Sequence, residues 1–347
     1  MVRSNNLFSA AIAVVGMMLL ILDSKHALLG AVEGLELCYR TVIPSLFPFF
    51  VFSALLTNSL TGTSIPLLKP VCRFCGIPKG GESLLAIGLL GGYPVGAQCV
   101  YGAYSSGHLS SQEARRLLGF CSNAGPSFIF GIAASLFSSP IYVWVLWAIH
   151  IVSVLLVGSL LPGKSRRSLT GNSSERITLQ QILQKSINAM CSVCAWIILF
   201  KILFAICEHW FLWRFPEPHH TFIIGILELT NGCFSLRNIE SECLRFILCS
   251  GMLAFGGICV GMQTVSVTGA LGTGTYFPGK ILQCAFSILL AYIMSFILFP
   301  SAYLDSKPTI WLFSIILSFI IIAATLLFFK KTVAFCIPFM YNKKKET

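Results

Sequence analysis

Residues 83–104 read SLLAIGLLGGYPVGAQCVYGAY, an apolar segment interrupted in its middle by Gly91, Gly92, Pro94 and Gly96. The charges flanking it decide how it sits. Loop 61–82 carries Lys69, Arg73 and Lys79, and loop 107–116 carries Arg115 and Arg116. Short loops rich in Lys and Arg stay on the cytoplasmic side of a membrane. A segment with both flanks on one side cannot cross, so it must dip in and return. Its glycines and proline permit that by breaking the helix at the turn.

The rest of the chain supplies the membrane. Its 347 residues are 56% hydrophobic and 11% charged, with a mean hydropathy of +0.82, whereas roughly a quarter of the residues of a soluble domain are charged. Apolar runs recur at 7–22, 42–60, 117–137, 140–161, 187–207, 244–262, 281–300 and 309–329. Several reach the roughly 20 residues that a helix needs to cross about 30 Å of hydrocarbon. The alternating pattern of a membrane β-barrel is missing. The first run lacks a small-x-small cleavage site before Asp23 and reads as an uncleaved helix. The net charge of +11 comes from basic residues scattered over loops between spans, as insertion topology demands, which excludes a nucleic-acid partner. Most of the 14 cysteines fall within apolar runs as small hydrophobes. The pairs Cys72/Cys75 and Cys191/Cys194 have no second pair or histidines at zinc spacing, so neither a metal nor another cofactor is expected.

The second half mirrors the first. Loops 208–220 and 235–243 are poor in Lys and Arg and read as external, and Thr221–Phe234 between them is too short to span comfortably. It reads as a second re-entrant segment, entering from the opposite face. The expected fold is an all-α polytopic membrane protein with about eight transmembrane helices plus two re-entrant hairpins in an inverted-repeat arrangement. Residues 1–34 form an N-terminal helix and loop, 35–161 a first repeat and 162–180 a cytoplasmic linker. Residues 181–300 form the second repeat, and 301–347 a last helix with a basic cytoplasmic tail.

Four stretches place polar or helix-breaking residues at membrane depth: 91–98, 121–126, 228–232, and 255–257 with 261–264. Unwound backbone there exposes N–H and C=O groups, and half-helix N-termini offer positive dipole ends to an anionic or polar solute. Glycines can instead serve close helix packing, but their pairing with amide, hydroxyl and acidic residues in both halves favours a site. The candidate substrate-binding residues are Ser45, Gly92, Tyr93, Gln98, Ser122, Asn123, Gly125, Glu228, Thr230, Asn231, Gly257, Gln263 and Thr264. Glu228 is the sharpest, because a carboxylate at the centre of a membrane helix costs roughly 2.5 kcal/mol or more. It is read as a solute contact or as the seat of a coupling proton or cation. The bland alternative is a hydrated residue at the outer interface. Lys201 is read as snorkelling from the outer end of its span, Glu36 and Arg40 as a helix-face ion pair, and His150 as satisfied locally. Ser45 follows Pro44 and either bonds freed carbonyls or touches the solute. Glu217, His219 and His220 read as a solvated loop. No catalytic signature is present, so no enzyme is expected.

The motifs 43–49 (IPSLFPF), 91–97 (GGYPVGA), 122–128 (SNAGPSF), 228–232 (ELTNG) and 255–257 with Gln263-Thr264 resemble those of sporulation integral membrane proteins of the nucleoside-recognition (Gate) family, from about residue 30 to 300. The resemblance makes 35–161 and 181–300 Gate-type repeats. It implies a bacterial multi-pass cell-membrane protein, distantly similar to concentrative nucleoside transporters and linked to moving dipicolinic acid across the outer forespore membrane. The acidic residues of sodium-coupled nucleoside carriers have no counterpart here beyond Glu228. The expected function is a secondary carrier or facilitator for a small polar, anionic solute, with the lipid bilayer as its other partner. A nucleoside carrier and a non-transporting sporulation scaffold are the alternatives.

Overall fold

The structure, a computed structural model, describes residues 2–60, 65–163 and 178–300. Every element in them is a helix. Five helical stretches are long and apolar enough to cross a membrane: Ser24–Phe52, Pro140–Leu160, Leu179–Trp210, Glu242–Thr268 and Tyr276–Leu298. This is a multi-pass helical membrane protein. The expected last span at 309–329, the basic tail and most of the linker lie outside the described residues.

Helix α1 (Val2–Leu22) gives way at Asp23 to α2 (Ser24–Leu37), which runs through a π-helical turn at Cys38–Val42 into α3 (Ile43–Leu60). The second span therefore begins at Ser24 rather than at 42, because Glu33, Glu36 and Arg40 are carried along one continuous helix instead of ending it. After α4 (Lys69–Phe74) come α5 (Glu82–Leu90) and α6 (Val95–Ser105). The run at 117–137 is not one helix: α7 (Ser111–Leu117) and α8 (Pro126–Gly131) are separated by non-helical backbone around Asn123. Helices α9 (Pro140–Leu160) and α10 (Leu179–Trp210) are unbroken. Then follow α11 (His219–Leu227) and α12 (Leu229–Ser235). The run at 244–262 is divided between α13 (Glu242–Phe255) and α14 (Gly257–Thr268), because Gly256 and Gly257 both take positive φ, at 82° and 80°. Helix α15 (Tyr276–Leu298) completes the described chain.

The two short segments do double back. In α5/α6 the turn is Gly91–Pro94, and Gly88 and Gly96, one on each arm, press on the same stretch of backbone: a Cβ at either would fall on the carbonyl oxygen of Cys121. In α11/α12 the Thr221 hydroxyl donates to the Ser235 carbonyl at 3.2 Å, which sets the first and last turns side by side. Gly225 and Gly232 let those arms touch.

Side-chain bolts join the helix ends. At one end Arg116, only 4% exposed, donates to the carbonyls of Cys75, Gly76, Gly158 and Leu161, tying the ends of α4 and α9 to α7. Thr275 joins them through the Arg115 carbonyl. At the other end of α9, Glu242 accepts from the Ser138 amide and hydroxyl at 2.7 and 3.0 Å. Asp23 accepts from His26, His209 and Trp210, fastening the start of α2 to the end of α10. Glycines 30 and 34 bring α2 against α10. There Lys201 pairs with Glu33 at 3.1 Å. Lys201, read as snorkelling, has its ammonium beside the exposed Glu33 carboxylate of α2, and α10 continues past it to Trp210. The Glu36–Arg40 pair forms as expected, at 3.0 Å on an exposed face. His150 departs from expectation: it is buried, and among the described residues neither ring nitrogen has a hydrogen-bond partner. Leu146 and Val154, a turn away, offer no polar atom, and Ser153 spends its hydroxyl on the His150 carbonyl.

The contact between hairpin and backbone gives a paired prediction. Gly96→Ala should lower the melting temperature of the detergent-purified protein by the equivalent of roughly 1–3 kcal/mol, the usual cost of overpacking. Gly102→Ala, on the same helix with nothing within 4 Å, should leave it unchanged or raise it. Equal melting temperatures for the two variants would remove the close approach.

Candidate functional site

The tips of both turns, the break before α8 and the first turns of α14 line one cleft. Gly92 and Tyr93 come from the first tip, and Glu228, Leu229 and Thr230 from the second. Gly125, Ser127 and Phe128 enter from the break before α8, and Val260 and Gln263 from α14. Apolar walls are completed by Leu46 and Phe50 of α3 and by Val193 and Ile197 of α10.

Glycines make the convergence possible. Gly92 has φ of 74° and packs on Gly125, where a Cβ would stand 2.9 Å from the Gly92 Cα. Gly257 packs behind the second tip, its absent Cβ 3.1 Å from the Leu229 nitrogen. The Tyr93 ring crosses to the other break, its hydroxyl 3.5 Å from the Leu253 carbonyl and directly against Gly256.

Glu228 is 4% exposed and has extended backbone at the N-cap of α12. One carboxylate oxygen accepts from the Thr230 amide at 2.9 Å and the other from the Asn231 amide at 2.6 Å. The bland reading of a hydrated interfacial residue is thereby excluded. So is an anion seated on the α12 N-terminus, since the chain's own carboxylate occupies that positive end.

Of the thirteen sequence candidates, Gly92, Tyr93, Gly125, Glu228, Thr230 and Gln263 line the cleft, and Gly257 supports it. The others fall elsewhere. Gln98 is exposed on α6. Ser45 donates to the Thr41 and Val42 carbonyls of its own helix. Thr264 likewise bonds the Val260 carbonyl. Ser122 is buried behind the break without a partner for its hydroxyl, and Asn231 is buried with an unpartnered amide nitrogen. Asn123 spans its own break, donating to the carbonyls of Phe120 at 2.7 Å and Gly88 at 3.3 Å.

The Asn123 amide oxygen reveals a residue that the sequence reading missed. It accepts from the Lys280 ammonium at 2.9 Å, and Lys280 is fully buried. The apolar run was started at 281, which left this lysine outside the span. Pro278 is compatible with the first turn of a helix, so a helix beginning at Tyr276 was permitted and would have placed Lys280 within it. Ser127, Phe128 and Leu46 fall inside the motifs quoted for the resemblance but are not singled out there as solute contacts, and Phe50, Val193 and Ile197 are ordinary apolar residues of their spans.

The class that these features define is a multi-pass membrane protein with interrupted helices around a central cleft. No family model matches the chain, and no solved structure matches it. It is similar to the sporulation integral membrane protein YlbJ of Bacillus subtilis (strain 168), at 31% identity over 140 residues. Those residues are 39% of this chain and 34% of that protein, so the match spans about a third of the curated relative's length. The match agrees with the sporulation-membrane part of the resemblance carried by the motifs.

The second hairpin is anchored outside the cleft by His220, whose Nε2 lies 2.7 Å from Glu208 and whose Nδ1 lies 3.4 Å from Glu217. Burial alone would lower the imidazole, but these carboxylates outweigh it and hold His220 above the ordinary histidine range. A group raised on folding adds stability that is fully present below its unfolded value of about 6.5 and is lost as pH rises through its folded value. The melting temperature should therefore fall as the pH is raised above neutrality, and His220→Gln should flatten that slope. An identical slope in the variant would show that this clasp contributes nothing.

Proposed function

We propose that the protein is a membrane transporter, a secondary carrier or facilitator, for a small polar anionic metabolite, with dipicolinic acid during sporulation as the first candidate. The observation that carries the reading is the cleft lined by both hairpin tips, the break before α8 and the first turns of α14. Interrupted segments in corresponding positions of two halves are where transporters of the inverted-repeat type hold solute. On this reading α5/α6 and α11/α12 are re-entrant hairpins entering from opposite faces. Residues 35–161 and 181–300 are then the two repeats, within a scheme of eight spans. Alternating access moves one repeat-derived bundle against the other around the cleft. Gln263, Thr230 and Ser127 offer polar contacts to the solute. Glu228, buried and facing the same space, takes up the coupling proton or cation. The sporulation role in the name of the similar Bacillus protein supports a sporulation membrane, and the choice of dipicolinate and of the outer forespore membrane rests on the resemblance of the motifs. No enzymatic step is proposed.

Uptake into proteoliposomes tests this. The purified protein should accumulate labelled dipicolinate at least ten-fold above protein-free vesicles, and Glu228→Gln should reduce the rate by a similar factor while the protein remains folded. A labelled nucleoside serves as the competing solute: its flux in place of dipicolinate would reassign the substrate. Flux of neither would favour a non-transporting scaffold.

A further inference from the structure

Among the described residues, a fully buried lysine lies outside the cleft's lining. Lys280 is fully buried in α15, and its Nζ reaches only two neutral oxygens, Asn123 Oδ1 at 2.9 Å and Gln283 Oε1 at 2.7 Å. Among the described residues no carboxylate pairs with it. A cation at membrane depth without an anion costs several kcal/mol, and side chains of this kind mark solute or ion paths.

An unmatched donor lies beside it. Asn123 and Gln283 accept two of the protons on Nζ. The Nε2 of that same Gln283 is buried and has no partner among the described residues. His150, the other basic group within electrostatic reach, is buried with both ring nitrogens unpartnered. Buried polar groups left unmatched call for an absent ligand or water, and a donor without an acceptor beside a basic group suits an anion. The Asn123 amide is fixed by its bonds to Phe120 and Gly88, so its oxygen holds Lys280 in place rather than competing for an anion's position.

Tyr93 touches both this group and the cleft. The Tyr93 ring centroid lies 5.1 Å from Lys280 Nζ, and the same residue lines the cleft. Its hydroxyl is held by a single long contact of 3.5 Å to Leu253, and Gly92 before it, with positive φ, is a permissive hinge. We propose that Lys280 is the basic group of an anion site, carrying its charge when the anion is bound, that Tyr93 closes off from the cleft. The ligand class is a small carboxylate. The proposal rests on the transporter reading and deepens it by naming the basic group that selects the solute.

Calorimetric binding to the detergent-purified full chain provides the test, with dipicolinate, its uncharged diamide and succinate as probes. Wild type should bind dipicolinate at least ten-fold more tightly than the diamide. Lys280→Gln should weaken dipicolinate at least ten-fold while melting no lower than wild type, because a Gln keeps the hydrogen bonds and removes a buried basic group. Lys280→Arg should retain the charge preference. Binding by Lys280→Gln within two-fold of wild type overturns the proposal, as does equal affinity for the diamide or failure of both anions to bind. A variant that loses binding and also melts well below wild type makes Lys280 a structural bolt, which overturns it too. Dipicolinate flux with undiminished binding by Lys280→Gln would refute this site alone, whereas loss of binding without flux in any vesicle would refute the transporter reading alone.

Discussion

Peptide groups that have no helix partner cannot be left bare where water is absent, and the centre of this molecule is built around that constraint. Each interruption is repaired by a different means. Glu228 supplies two acceptors to the first amides of α12. Asn123 supplies donors to the carbonyls of Phe120 and Gly88. At Gly256 a left-handed residue interrupts the helix, and its amide still bonds back to the Met252 carbonyl. The first tip, from Gly91 to Pro94, lies against Gly125 with no side chain between. These repairs hold open a space that continuous helices would fill.

The same repairs explain why polar residues at a break do not all face a solute. Asn123 and Glu228 spend much of their bonding capacity on backbone, and Thr264 and Ser45 spend theirs on their own helices. What remains facing the cleft is a modest polar set, Ser127, Thr230 and Gln263 beside Glu228, within apolar walls.

The architecture was largely legible because it is written in residue types with one physical use. Glycines 88, 91, 92 and 96, with Pro94, mark a turn inside an apolar segment, and the fold-back of α5 on α6 follows them. The shortness of 221–234 revealed the second fold-back. The breaks were harder to see: 117–137 and 244–262 are apolar throughout enough of their length to pass as spans, and only left-handed glycines or an amide bridge divide them. Within the site, residues adjacent to glycine were recoverable. Gln98 was not, because it faces outward on α6, a matter of helix phase that spacing alone did not fix. Lys280 was hidden by a window that stopped at the first charge, and Arg116 was read as a loop charge although four carbonyls enclose it.

Arg116 also bears on how the fold is completed. Two of the carbonyls that satisfy it, Gly158 and Leu161, lie more than forty residues further along the chain. A guanidinium without those partners is strongly held by water and headgroups. The cage of four carbonyls around Arg116 is therefore complete only when the end of α9 is in place, which couples α4, α7 and α9 across more than eighty residues of chain.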